Sequence, residues 1–350
     1  MPNKSKPNIL IINRVSVVKN KGPSRSLEER IIEPITRLHE RGLIDLIIIN
    51  ESDWKGGCFS KHTHAIMNRP NSREACEILS ECASMNVKTI IDLDDLPIFF
   101  PQGDTAYLPK ERRENFYRCI NLATCITAST RRISKWIENH FPQKETTIIH
   151  TGLDFQKIDH LTMWPTKFFK NSITFTNAGS LKLGAFEKPW LETIEEALKK
   201  NGWSLDVFAD SIDYLPPSLP FNYLGQVNWL NHKIQLNHSY PLSVTPLASS
   251  EDPTHLAYSQ YKTPIKYIIY AGLGIPGIYS QSPIYTDEVE HGITGVLTPN
   301  TRESWLGAMD SMINDTSLRG KIQKNGMIDV RTRFSLESCS NKWLRLINEL

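Results

Sequence analysis

Apolar and polar positions along the chain fall into short buried runs that alternate with amphipathic stretches. Asn8-Ile-Leu-Ile-Ile-Asn13 is a continuous apolar run closed at both ends by asparagine, which predicts a strand covered on both faces. Leu43–Ile49, Val87–Leu93, Ala123–Ala128 and Thr147–His150 read as further strands, and His64–Met67 as a weaker one. Between them apolar residues recur at helical spacing: Ile31, Ile35 and Leu38 over about 26–41, and Ala75, Leu79 and Cys82 over 72–84. Lys110–Leu122 reads as a further helix, and Ser129-Thr130 caps the one that carries Ile133, Trp136 and Ile137. Strands alternating with helices pair in parallel, so the pattern predicts a doubly wound α/β unit.

The alternation breaks around Leu161–Asn171, where Pro165 and a run of bulky residues read as a connection, and then restarts. Ser172–Thr176, Leu205–Phe208 and Leu242–Leu247 read as strands, and Lys188–Asn201 as a helix with Pro189 in its first turn. From Lys262 the chain reads as a helix ended by glycine, a buried strand near Ile275-Pro276, a loop, and a second strand up to Pro299. Glu303–Ile313, Leu318–Arg333 and Leu336–Leu350 close it as helices. The predicted architecture is therefore two α/β domains, 1–165 and 166–333, with a final helix over 334–350.

Three hundred and fifty residues suffice for two independent cores. Net charge is only +2, divided as +3 before residue 165 and −1 after it, which is too even for a nucleic-acid binder. The six cysteines form no CxxC pair and no zinc spacing with histidine, so they read as reduced thiols with no metal site. The apolar run Ile9–Ile12 is too short for a signal sequence, and no window approaches the roughly 20 apolar residues of a membrane span. These features predict a cytoplasmic protein, with at most peripheral membrane association.

Candidate chemistry concentrates in three places. Asp92-Leu-Asp94-Asp95 lies at a strand end, where doubly wound sheets bind ligands; such crowded carboxylates serve either a site or a capped, solvated turn. Asn177-Ala-Gly179-Ser180-Leu-Lys182-Leu-Gly184 is a glycine loop between strand and helix, an arrangement that turns amide N–H groups toward a phosphate, with Lys182 and Lys188 adding charge. The Lys262 stretch is a second unit of that kind.

The motifs Ile90-Ile-Asp92-Leu-Asp94-Asp95, Thr127-Ala-Ser129-Thr130, Lys262-Thr-Pro-Ile-Lys266, Tyr270-Ala-Gly-Leu-Gly274-Ile-Pro276 and Glu288-Val-Glu-His291-Gly292, with Thr294-Gly295 and Trp305, occur in an order that resembles one family over nearly the whole chain. It is the retaining group-1, family 4-like glycosyltransferases of GT-B fold, above all their bacterial O-antigen and surface-polysaccharide branch. The resemblance implies two Rossmann-like doubly wound domains facing across a cleft, with the last helix crossing back onto the first domain. It implies transfer of a sugar, with retention, from a UDP-, GDP- or dTDP-sugar to a glycan or lipid-linked acceptor, with no obligatory metal or other cofactor. The donor would meet Gly179, Ser180, Lys182, Lys188, Lys262, Lys266, Tyr270, Tyr285, Thr286, Asp287 and Glu288; the catalytic candidates are Asp92, Asp94 and Asp95 on the acceptor side.

The chain departs from that family at three telling positions. The family carries two glutamates with seven residues between them, the second gripping the ribose hydroxyls; the matching positions here are Tyr261 and Ile269, and Ser180 stands where arginine is common. Two charge-assisted hydrogen bonds of about 1.5–3 kcal/mol each correspond to roughly two to four decades of affinity. Either Asp287 or Glu288 takes over, or the donor differs, or the protein is a catalytically inactive binding or scaffold subunit.

Overall fold

The computed structural model describes residues 6–13, 24–54, 56, 61–99, 108–161, 171–177, 184–209, 221–225, 229–247 and 260–350, the side chains of 177, 184–189, 191 and 229 excepted. The chain forms two compact units: Met1–Leu153 with Tyr261–Thr263 and Phe334–Leu350, and Asp154–Gln260 with Pro264–Arg333. The division thus falls at residue 153, ahead of the irregular stretch, because Phe155–Leu161 is a helix that packs within the second unit.

The first unit is built on a six-stranded parallel sheet in the order β2-β1-β3-β4-β5-β6. Its strands are β1 Asn8–Asn13, β2 Asp45–Asn50, β3 His64–Asn68, β4 Lys88–Leu93, β5 Cys125–Ala128 and β6 Thr146–Ile148. Side chains alternate between faces. Leu10, Ile12, Ala65, Met67, Ile91 and Ile126 meet helices Arg73–Ser84, Lys110–Leu122 and Arg131–His140 on one side. Ile9, Ile11, Ile66 and Ile90 meet Ile31, Ile35 and Leu38 together with Trp343 and Ile347 of the last helix, Leu336–Glu349, on the other.

Ile31, Ile35 and Leu38 come from a helix of mixed pitch: Arg25–Leu27 and Glu33–Glu40 are α-helical and Glu28–Ile32 between them is a π-turn. The cause lies at Pro34, which has no N–H and crowds the carbonyl four residues before it. That carbonyl belongs to Arg30, and the indole Nε1 of Trp343 donates to it instead, at 2.9 Å.

The second unit repeats the plan with the order β12-β11-β10-β7-β8-β9. These strands are β7 Ser172–Asn177, β8 Ser204–Ala209, β9 Phe221–Tyr223, β10 Leu242–Thr245, β11 Gly277–Ser280 and β12 Val296–Thr298. One face, with Ile173, Phe175, Val207, Val244 and Ile278, packs on Leu198 of helix Gly184–Asn201 and on Trp305 and Met309 of helix Arg302–Asn314. The opposite face presents buried Thr174, Thr176, Ser243 and Thr245. Strand β9 and helix Trp229–Leu236 have no counterpart in the sequence pattern.

Helix Ile265–Gly272 starts after Pro264 and ends where the sequence places glycine. The carbonyls at and just past its end are taken up by helix Thr316–Arg333 and by the turn at His238: Arg331 Nε donates to Gly272 O at 2.9 Å and Gln323 Nε2 to Gly274 O at 2.8 Å, while His238 N donates to Leu273 O at 3.0 Å. Gly274 has φ +72°, and a Cβ there would stand 2.6 Å from His238 Nδ1. Among the described residues no helix is long and apolar enough to cross a membrane, and no group of three or more His, Cys, Asp or Glu is placed to hold a metal ion.

Candidate functional site

In the first unit the carboxyl end of β4 gathers three aspartates into different roles. Asp92 is sealed from solvent. Its oxygens accept from Arg30 Nε at 2.9 Å, Thr127 Oγ1 at 2.7 Å and Asn68 Nδ2 at 2.9 Å, while Arg30 Nη1 also holds Ile149 O at 2.9 Å. Burial works against the Arg30 charge, yet Asp92 beside it holds the guanidinium above its ordinary range. A carboxylate so placed ties β4 to β3, β5 and the π-turn, and it reaches no substrate in this conformation.

Asp94 and Asp95 share Arg69. This residue occupies left-handed backbone, φ 45°, just past β3, and its N–H donates to Asp92 O at 3.0 Å. Its guanidinium reaches Asp94 Oδ1 at 3.0 Å and Asp95 at 2.9 and 3.1 Å. Burial alone would raise Asp94, but Arg69 and Arg30 bring its carboxyl below the usual range. Asp95 goes the other way: burial, with Asp94 next to it, outweighs Arg69 and pushes it up to about 6. Two adjacent carboxyls with divergent acidities are the arrangement from which acid–base roles are drawn.

The structure places Lys262 with this acidic end rather than with Lys266. Three residues before the Ile265–Gly272 helix belong to the first unit: Tyr261 stacks on Phe99 with ring centroids 5.2 Å apart, and Thr263 Oγ1 donates to Asp94 O at 3.0 Å. Ser129 Oγ donates to the same carbonyl at 3.0 Å, and the Lys262 charge opposes the rise in Asp95. Pro264 sets this break by starting the helix one residue later. Arg30, Arg69 and Asn68 were not singled out by sequence, and Arg30 is one of four arginines in the polar-rich stretch 25–41.

In the second unit, Gly179, Ser180 and Lys182 lie outside the described residues, and Lys188 falls in helix Gly184–Asn201 at a position whose side chain is also outside them. Lys266 is half-buried, its Nζ 5.2 Å from the Phe175 ring centroid. Tyr270 is buried and its hydroxyl donates to Thr176 Oγ1 at 2.9 Å; Ile269, one residue before it, is 4% exposed. Tyr285 is buried against Tyr279 at 4.9 Å, whereas Thr286 and Asp287 are exposed beyond it. Glu288 is committed: Arg333 Nη1 donates to its Oε2 at 2.6 Å and Arg333 Nη2 to its backbone oxygen at 3.1 Å. Burial nevertheless leaves the Glu288 carboxyl above its ordinary value. Of Asp287 and Glu288, only Asp287 is exposed.

No protein-family model matches the chain, and no curated protein matches it in sequence. Solved structures do. A glycosyltransferase from Rickettsia africae superposes with a TM-score of 0.68 at 14% identity over 99% of both chains. HepE of Anabaena, in complex with UDP and glucose, gives 0.62 at 15% identity over 98% of this chain and 100% of its own. A sucrose-phosphate synthase from Thermosynechococcus elongatus gives 0.65 at 12% identity over 98% and 99%. The fold is GT-B, with two six-stranded parallel sheets and a C-terminal helix.

Proposed function

We propose that the protein is a glycosyltransferase that draws on a nucleotide-sugar, a UDP-sugar foremost, and passes the sugar to a glycan or lipid-linked acceptor. The supporting observation is end-to-end likeness: chains crystallised with UDP or UDP-glucose are covered in full while 98% of this chain is used. In this reading the second unit holds the donor near Lys266 and the Gly179–Lys188 segment, where amide N–H groups and ammonium charge stabilise the departing diphosphate. Asp95, with an acidity near neutral, is the group suited to handle a proton of the acceptor hydroxyl. Retention of configuration, a place in surface-polysaccharide assembly and peripheral attachment to a membrane complete the proposal on the strength of the motif resemblance.

Calorimetric titration with UDP-, GDP- and dTDP-sugars, followed by a hydrolysis assay on whichever binds, tests it. Saturable binding with turnover is expected, and absence of binding to all three would sink the reading. One observation favours a second reading, a non-catalytic GT-B subunit: Ile269 buries an apolar side chain where the resembled family grips ribose. Tight binding without turnover would select it.

A further inference from the structure

Strand β2 forms the outer edge of the first sheet and, among the described residues, pairs with β1 alone. Asp45 N donates to Pro7 O at 2.8 Å, so in the parallel register Asp45, Ile47 and Ile49 turn their backbone groups toward β1. The N–H and C=O of Leu46 and Ile48 therefore point out of the sheet. Both faces of the strand are open too: Ile47 is 47% exposed on one and Ile48 44% on the other, whereas Leu10 and Ile11, their register partners in β1, are 2% and 0%.

Edge strands that end in water are blunted by lysine, proline, a bulge or an inward charge. β2 has none of these: Asp45–Asn50 runs in unbroken register with β1, and its one charge, Asp45, is taken up by Lys6 Nζ at 2.7 Å at the strand's start. Consecutive isoleucines with outward backbone groups among them are a template for another strand. A two-fold axis lets the same strand serve as its own partner, and the two-fold dimer is the commonest closed assembly.

We infer that β2 pairs antiparallel with β2 of a second copy, joining two six-stranded sheets edge to edge. Two registers set outward groups against outward groups. With the axis at Ile48, Asp45 falls opposite Glu51 of the second copy, like charge against like. With the axis at Ile47, Ile47 meets Ile47 on one face, and on the other Leu46 meets Ile48 and exchanges N–H···O bonds with it. Charge and apolar matching select the second. The seam is about 20 Å long. Alongside it each copy carries helix Glu33–Glu40, whose Ile35 and Leu38 sit in the cluster on which Leu46 packs. Ladder and flanks together bury on the order of 1,000 Å², enough for a specific contact. Such a dimer stands whether or not the chain transfers sugar.

Sedimentation equilibrium of the full chain over a broad range of concentration tests it. Wild type is expected at twice the chain mass. Ile48→Lys is expected to raise the dissociation constant of the dimer at least about a hundredfold, since two apolar side chains leave the seam. Ile48→Pro, which removes an N–H that points outward, is expected to do the same with circular dichroism and thermal midpoint close to wild type. Ile47→Cys in a Cys58→Ser background is expected to form a covalent dimer with oxidised glutathione, because the facing Cα atoms of such a pair lie about 4.5 Å apart. A wild-type monomer throughout would overturn the pairing, and so would a dimer that survives both Ile48 variants. An unlinked Ile47→Cys dimer would overturn the register. Should Ile48→Pro fail to fold, Ile48→Lys decides.

Discussion

The guanidinium of Arg30 grips the carboxylate of Asp92 through two parallel hydrogen bonds, Nε to Oδ2 at 2.9 Å and Nη2 to Oδ1 at 2.5 Å, with the two side chains 1% and 0% exposed. Removing one partner strands a buried charge, which costs about 3–5 kcal/mol. Arg30→Met is therefore expected to lower the urea midpoint severely, and adding Asp92→Leu to recover much of the loss. Asp92→Asn should likewise cost stability. Unchanged stability with lost transfer would return Asp92 to the chemistry.

Asp95 sets a pH dependence of definite sign. Its carboxyl titrates near 6 in the folded chain and near 3.9 when unfolded, so between about pH 4 and 6 the folded state holds the extra proton. Stability from this group is present below about 4 and lost as pH rises through 6, on the order of 3 kcal/mol. Asp94, held low, acts in the opposite sense: its contribution is present above its unfolded value and fades as pH falls through the folded one. Urea melts of wild type and Asp95→Asn at pH 4.5 and 7 should diverge, the variant gaining relative stability at pH 7. Parallel curves would refute the assignment.

Ile269→Glu restores the carboxylate that the resembled family places on the ribose. Because the position is 4% exposed, the apo variant should melt earlier. UDP affinity should rise at least about tenfold, since one charge-assisted hydrogen bond is worth about 1.5–3 kcal/mol. Unchanged affinity by calorimetry would show that the ribose is gripped elsewhere.

Lys266→Ala should weaken UDP binding about tenfold, since it removes the ammonium that stands half-buried 5.2 Å from the Phe175 ring centroid. An unaltered dissociation constant would remove Lys266 from the donor site.

Gly272→Ala tests packing alone. The new Cβ would stand 2.5 Å from the buried Phe155 ring and 2.9 Å from Val330 Cγ1. Overpacking of this kind costs about 1–3 kcal/mol, to be read as a lowered thermal midpoint. An equal midpoint would mean that Phe155 has room to turn away.

The regular α/β alternation was legible because parallel strands are written as apolar runs, even β2, where Ile47 and Ile48 are exposed; helix Lys110–Leu122 matches residue for residue. Strand β9, with Asn222 and Tyr223 exposed, carries no such run, and helix Trp229–Leu236 is too short to show its period. The site was legible only as an acidic cluster. Which aspartate is structural depends on Arg30 and Arg69, partners 62 and 26 positions away in sequence, and no local pattern announces them. Lys262 was grouped with Lys266 because they are neighbours in sequence, whereas the chain passes from the first unit to the second at Pro264.

Trp343 completes the hydrogen bonding of Arg30 across 313 positions of sequence. The strands made first on the ribosome therefore wait for the helix at 336–349 to close their open face, while the whole second unit emerges in between. At roughly 5–20 residues per second that interval is on the order of 10–40 s. For that time Ile31, Ile35 and Leu38 lack the part of their cover that Trp343, Leu346 and Ile347 supply, which makes the stretch around Trp343 a sensitive place to truncate.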